Sequence, residues 1–277
     1  MKLRIVTFNT LFGGHSDNGL GAPERWAGQM KFLKSLRPDI LALQECTFWD
    51  LLGRRRLHQA VADVGSATGF LSYANATTGG HRFHSAILLS DRLTVLAEDA
   101  DRARYHHVMG WADLGVPGMP ELTLGVRHLH LDPFDPRNRA REVAPLEVLA
   151  APGRLSVVLG DLNTIGRQFP EPAWEQMERH LLNGHLRLPG EPEIGDRDAV
   201  ELLARSGFTD PALASGMTDV ATAAFGPGDV PRRQDLILTS PALTPAVTGY
   251  QVHRQPVDDD LSDHCAVSID LDLAVVA

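Results

Sequence analysis

The chain has 277 residues, of which 43% are hydrophobic, enough for a large core in one domain or two. Its formal net charge of −9 argues against a surface coated in basic charge for nucleic acid or an anionic membrane, while leaving phosphate substrates open, because a bound divalent cation supplies positive charge locally. Two cysteines, Cys46 and Cys265, cannot build a disulfide framework and fit a reducing compartment. Met1-Lys2-Leu3-Arg4-Ile5-Val6 enters a strand pattern at once, leaving no room for a signal peptide, and no apolar run approaches membrane-spanning length. The expectation is a soluble, cytoplasmic protein.

Leu3 to Phe8 is apolar and β-branched, a central strand that ends at Asn9 before Gly13-Gly14. Asn9 there is either a turn former or a site residue. Pro23 to Arg37 is helical, with Trp26, Met30, Leu33 and Leu36 at helical spacing, and Pro38 stops it. Asp39 to Leu43 forms a second buried strand ending in Gln44-Glu45. A carboxylate after that apolar run needs a cation, a hydrogen-bond network or exposure. Phe48 to Thr68 reads as a helix whose Arg54-Arg55-Arg56 is a solvated face. A Gly-containing loop then carries His81, Arg82 and His84, either exposed or able to contact an anionic substrate, before the strand Ser85 to Leu89.

Tyr105 to Leu114 and Glu121 to Leu131 read as two strands joined by the hairpin connection Val116 to Pro120. The second carries His128 and His130 on one face, a spacing that can bind zinc but lacks further short-spaced ligands. Pro136 to Ala150 is helical. Ser156 to Leu159 is a short buried strand running into Gly160-Asp161-Leu162-Asn163, which puts a carboxylate and a carboxamide together at a strand mouth. From 167 to 208 the chain is less regular, with helices expected at Trp174 to Leu182 and Asp198 to Ser206, and this stretch is a candidate substrate-specific insertion or lid. Asp235 opens another buried strand, and Ser262-Asp263-His264 precedes the last one, Cys265 to Ile269. No repeat or linker divides the chain, so a single domain over residues 1–277 is expected. Cys46 and Cys265 follow Glu45 and His264 directly and read as buried packing thiols.

Polar residues thus cap strand after strand, and these segments in this order resemble the endonuclease/exonuclease/phosphatase superfamily with its DNase I-like fold. Thr7-Phe8-Asn9, Pro38 to Glu45 and Gly160-Asp161-Leu162-Asn163 are similar to three of its motifs. So are Arg127-His128-Leu129, Arg139-x-x-Glu142, Gln234-Asp235-Leu236-Ile237 and Ser262-Asp263-His264, all spread over residues 5 to 269. The resemblance implies an α/β (α+β) fold, a four-layer αββα sandwich of two packed, mostly antiparallel sheets with helices outside, in keeping with the alternation of strands and helices.

It also implies a metal-dependent hydrolase of phosphate esters. Glu45 would hold Mg²⁺ (or Mn²⁺), with Asn9 and Asp263 helping through the metal or its waters. His264 would be the general base or a phosphate-polarising imidazolium, with Asp235 fixing its tautomer. Asp161 would orient the water or protonate the leaving group, and Asn163 and His128 would bind phosphoryl oxygens. Arg82 and His84 are candidate substrate contacts. Which of Asp161 and His264 is the base stays open at this level. Leu11 stands where the nuclease branch often has an acid, and the acidic charge mildly favours small-molecule or lipid-like substrates over a DNA or RNA nuclease activity. A silent binding module and a zinc hydrolase using His81, His84, His128 and His130 are the alternatives from other classes.

Overall fold

The computed structural model describes residues 1–15, 21–75, 82–187 and 194–276, so His81 lies outside the described residues. Two sheets form its centre. The six-stranded sheet runs β10 (Val247–His253), β11 (Ala266–Asp272), β1 (Lys2–Asn9), β2 (Ile40–Gln44), β4 (Ser85–Leu89), β3 (Thr68–Ser72). The five-stranded sheet runs β5 (Thr94–Asp101), β6 (Val108–Val116), β7 (Met119–His130), β8 (Leu155–Asp161), β9 (Asp235–Thr239). Each sheet is mixed: β1 pairs parallel with β2 and β7 parallel with β8, and the other pairings are antiparallel.

The two-residue side-chain period of a strand sorts the apolar residues into layers. Ile5, Ile40, Ala42, Ile87, Leu124, Val157, Leu159, Ile237 and Ile269 fill the space between the sheets. Their neighbours Val6, Phe8, Leu41, Leu43 and Leu88 turn outward against Trp26 and Leu33 of α1 (Pro23–Leu36) and Leu57 of α2 (Leu51–Val64). On the other flank, Leu129, Val158 and Leu236 pack against Val143 of α3 (Pro136–Val143), Leu203 of a helix over Asp198–Arg205, and Phe208. Helix, sheet, sheet, helix is the expected order of layers. No helix among the described residues is long and apolar enough to cross a membrane.

Element ends differ from the sequence expectation where local chemistry is special. The helix expected over 48–68 is shorter, Leu51–Val64, its first turn broken by left-handed φ at Leu52, Gly53 and Arg54 and its end capped by Gly65. The 116–120 connection tightens to Pro117-Gly118, with Gly118 at φ 79, the conformation a type II turn requires at its third position. The expected helix from 174 to 182 is instead a 3₁₀ turn, Trp174–Gln176, and a single helical turn, Arg179–Leu182, separated by an extended Met177. Strands β5 and β10 lie at the sheet edges and expose much of their length, so they lack the apolar signal that marks the central strands.

The same period carries the inter-sheet row into polar residues where the strands end. Ile5 is followed on its face by Thr7 and Asn9, Ala42 by Gln44, Val126 by His128 and His130, and Leu159 by Asp161. Gly160 permits the last step: it sits at φ 138, and a Cβ on it would fall 1.9 Å from the Leu129 carbonyl oxygen. Replacing Gly160 with Ala is therefore expected to cost on the order of 3 kcal/mol or more. Gly118→Ala, where a Cβ meets nothing within 4 Å, should cost only about 1 kcal/mol. Denaturant melts of the two variants check this, and similar losses for both would contradict it.

Candidate active site

Asn9 ties the two sheets together at the polar end. Its Nδ2 donates to Glu45 Oε1 and to Asp161 Oδ2, both at 3.2 Å, and its Oδ1 accepts from the Leu11 N–H at 3.1 Å. Glu45 follows β2 in a left-handed conformation (φ 57), and its Oε2 accepts from the Phe12 N–H at 3.0 Å. Burial pushes the Glu45 carboxyl up to about 7; the Phe12 N–H and the Asn9 amide pull against that shift, while the nearby Asp263 adds to it.

Across the cleft, Asp161 Oδ1 accepts from the Asn163 N–H at 2.9 Å, and Asn163, also left-handed (φ 48), donates from Nδ2 to the Leu131 carbonyl at 3.0 Å. Backbone strain of this kind persists only where surrounding bonds fix the residue, as they do for Glu45 and Asn163.

His264 completes the group. Its Nδ1 lies 2.9 Å from Asp235 Oδ2 and its Nε2 lies 4.0 Å from Asp161 Oδ2. Ser262 holds this loop in place, donating from Oγ to the Asn9 carbonyl and accepting from the His264 N–H. Burial disfavours a charged His264 ring, but the charge and hydrogen bond of Asp235 outweigh it, with Asp263 and Asp161 adding, so the ring is held protonated well above its ordinary range. Asp235 is anchored in turn by Thr222, whose hydroxyl accepts its N–H at 2.9 Å.

Two donor sets could hold a cation. Asp161, Asp235 and His264 offer ligand atoms within 4.8 Å of one another. Because Asp235 Oδ2 is engaged by His264, that set suits a proton-sharing pair facing a carboxylate. Glu45 and Asp263 are like-charged neighbours, and Asp263 Oδ1 is buried without a hydrogen-bond partner. An all-oxygen set with an unsatisfied carboxylate is the environment in which a hard divalent cation relieves repulsion.

Glu45, Asp161, Asn163, Asp263 and His264 line one cavity of about 440 Å³. His130 lines it too, with Nε2 3.9 Å from Asp161 Oδ2, whereas His128 does not. The register explains the difference: in the parallel β7–β8 pair His130 stands beside Asp161, and His128 stands beside Leu159, one pleat deeper. His128 is fully buried against the Gln44 side-chain amide, and burial holds its ring neutral, down to about 3. The phosphate contact expected of it thus falls outside the cavity lining, and His130 occupies that level instead.

Arg82 and His84 also fall outside the cavity. His84 is fully buried, accepts the Ala74 N–H at Nδ1 and lies 3.2 Å from Asp50 at Nε2, so it braces a loop. Phe83, between them, is the residue that faces the site. With His84 and His128 committed elsewhere, the expected zinc set is not brought together among the described residues. Arg127 pairs with Asp113 at 2.9 Å and lies over Trp111, on the opposite face of β7 from His128. Cys46 and Cys265 are buried free thiols.

Sequence reasoning missed one part of the wall, His107 and Phe134, which His106 joins edge-on behind the lining. Within the 167–208 stretch that it singled out as a whole, His180, Leu181, Asn183, Gly184 and His185 close the cavity. Arg139 fixes that stretch: it is fully buried, pairs with Asp196 at 2.9 Å and donates to the Asp132 and Gly184 carbonyls. A larger groove of about 770 Å³, lined by residues such as Met119, Pro120 and Leu155, contains none of these site residues.

Residues 6–264 match the sequence model of the Endonuclease/Exonuclease/phosphatase family. The chain belongs to that family, whose members are hydrolytic enzymes acting on phosphoric esters. Three solved structures show the same fold. A mannosyl-6-phosphatase of Bacteroides thetaiotaomicron superposes with a TM-score of 0.66 at 15% identity, over 98% of this chain and 99% of that one. Truncated TDP2 of Caenorhabditis elegans gives 0.61 at 18% identity, over 98% of each chain. The human Nocturnin catalytic domain gives 0.59 at 16% identity, over 98% of this chain and 94% of the other. No curated protein matches the chain by sequence.

The wall carries its own pH signature. The hydrogen bond from His106 Nδ1 to Asp132 Oδ2, 3.3 Å, raises the His106 ring against the opposing effect of burial. Burial disfavours the Asp132 carboxylate, but bonds from His106, the Phe134 N–H and Asn138 hold it well below the ordinary range. The His106 contribution is full below its unfolded value, about 6.5, and is lost as pH rises through the raised folded value. The Asp132 contribution is full above about 4 and is lost on acidification. Stability measured by denaturation should therefore fall most for His106→Asn below the ordinary imidazole range, near pH 5.5, and the deficit should narrow as pH rises through the raised folded value. A deficit that does not vary with pH would contradict this.

Proposed function

We propose that this enzyme is a divalent-metal-dependent hydrolase of small-molecule or lipid-like phosphate esters. The observation that carries the reading is the His264–Asp235 pair facing Asp161 across 4.0 Å, inside a cavity that Glu45 and Asp263 also line. Glu45, with Asn9 and Asp263 beside it, would hold Mg²⁺ (or Mn²⁺), which when bound supplies Lewis acidity and charge neutralisation at the phosphate.

The chain's own residues account for the proton and charge handling. A protonated His264 cannot act as base; its Nε2–H is available to a non-bridging phosphoryl oxygen as charge develops. That leaves Asp161 to accept the proton of the attacking water, with the Asn163 N–H holding its other oxygen in place. The P–O bond to water forms as the ester P–O bond breaks, and the departing oxygen takes its proton from solvent. His130 and the remaining N–H of Asn163 stand ready for phosphoryl oxygens. The 167–208 segment acts as a substrate-specific insertion within a single domain, a role supported by its contribution to the cavity wall.

The enclosing wall favours a compact ester over a long polymer. A panel of nitrophenyl phosphate, bis-nitrophenyl phosphate, sphingomyelin and plasmid DNA, each with Mg²⁺ and with chelator, tests the reading. The expected result is chelator-sensitive cleavage of at least one small or lipid ester and weaker action on DNA. His264→Ala and Glu45→Ala should each lower turnover by roughly three orders of magnitude with circular dichroism unchanged. Wild-type turnover in either variant, or activity confined to plasmid DNA, would overturn it.

A further inference from the structure

The start of α2 holds two leucines out in water. The stripe of α2 that packs inward is Leu57, Ala60 and Val64, whereas Leu51 and Leu52 stand outside it, 53% and 74% exposed. Leu52, Gly53 and Arg54 are left-handed in succession, a conformation that costs energy at the two non-glycine positions. Arg54 and Arg55 follow, both exposed and without an ion pair among the described residues. Arg56 is committed to the fold instead, lying over Trp26 at 4.5 Å. Large apolar side chains held in water by a strained turn mark an interaction surface.

The charge around the leucines indicates what covers them. From Cys46 to Ala62 the only acid is Asp50, and it lies 3.2 Å from the buried His84. Arg82 and Arg102 are close enough for their charges to act on that same histidine. The chain's net charge of −9 thus coexists with a locally basic patch. Phe48, Leu51 and Leu52 form with Arg55 and Arg56 a crevice of about 450 Å³, apolar and cationic together, as an acyl chain and its phosphate headgroup require. Unpaired arginines around protruding leucines match a lipid surface, where headgroups move to meet each charge. The crevice also adjoins the cavity. His15, on its edge, donates its N–H to the Phe12 carbonyl at 3.1 Å. Phe12 in turn donates its own N–H to Glu45, and its ring meets that of Phe83, in the cavity wall, at 5.9 Å.

We propose that the start of α2 is a docking surface for an anionic lipid bilayer, with Leu51 and Leu52 entering the acyl boundary and Arg54 and Arg55 meeting headgroup phosphates. The inference deepens the reading of the adjoining cavity as a site for lipid-like phosphate esters, and rests on it only for what the docked enzyme cleaves. The bond-breaking chemistry stays with Asp161 and His264.

The test is co-sedimentation of the full chain with vesicles of phosphatidylcholine alone and of phosphatidylcholine with about 30% phosphatidylserine. Wild type should partition onto the anionic vesicles about tenfold or more better than onto the neutral ones, and less so as salt is raised. Leu51→Ser with Leu52→Ser, and separately Arg54→Glu with Arg55→Glu, should each lower that partition by about tenfold. Arg54→Lys with Arg55→Lys, which keeps the charge, should retain it. Turnover of bis-nitrophenyl phosphate with Mg²⁺ should be unchanged in all three, which also reports that they fold. Absence of wild-type binding, equal binding to both vesicles, or undiminished binding in the leucine or glutamate variants overturns the docking surface. So does a wild type that stays off both vesicles and sediments as a dimer broken by the leucine changes, which gives the patch to a second copy of the chain. Anionic vesicle binding without hydrolysis of any phosphate ester sustains the surface and contradicts the hydrolase reading; hydrolysis without vesicle binding does the reverse.

Discussion

A single side-chain amide holds the site together. Asn9 belongs to the six-stranded sheet and Asp161 to the five-stranded one, and the Asn9 Nδ2 group reaches Asp161 and Glu45 at once. Two carboxylates brought this close in a buried cleft repel one another, and a neutral donor between them offsets part of that cost without cancelling their charge. The charge that remains is what makes the cleft suited to a cation and a phosphate. Everything else fixes this geometry: Ser262 ties the His264 loop to the Asn9 carbonyl, and the left-handed backbone at Glu45 and Asn163 turns each side chain back toward the cleft.

The site's position follows from the packing. Residues on the inter-sheet face are apolar through the body of each strand because both sheets cover them, and that face turns polar where the sheets stop covering it. The cleft is thus an extension of the core, which explains why its members are so deeply buried and their proton affinities so displaced. Above it, the enclosing walls come from outside the sheets. Glu142 accepts the His106 and Asp132 N–H groups, and Arg139 fastens Gly184 and Asp196, so the Arg-x-x-Glu of α3 serves as the bracket for both.

Much of this was readable from sequence because strand ends announce themselves. Asn9, Glu45 and Asp161 each follow an apolar run that has to be a central strand and Asp235 opens one, and a carboxylate placed there needs a partner whatever the fold. The layered sandwich was implied by the family resemblance these segments carry, and the alternation of strands and helices agrees with it. His128 and His130 illustrate the limit. Both share a face and each is followed by leucine, so only the register against β8, which sets His130 beside Asp161, distinguishes the residue in the cavity from the one behind it. The edge strand β5 and the ring wall around His107 depend on long-range contacts with no local pattern to betray them. His84 misled for the opposite reason: a polar residue in a loop reads as exposed, yet it is completely buried, accepting the Ala74 N–H and lying 3.2 Å from Asp50.

The claim that matters most is that the cation belongs with Glu45 and Asp263 and that Asp235 instead serves His264. Calorimetric titration of Mn²⁺ into wild type, Glu45→Gln and Asp235→Asn addresses it without reference to any substrate. Binding lost or weakened at least tenfold in Glu45→Gln and retained in Asp235→Asn is the predicted result. Retention in Glu45→Gln with loss in Asp235→Asn would place the ion among Asp161, Asp235 and His264 and contradict the account.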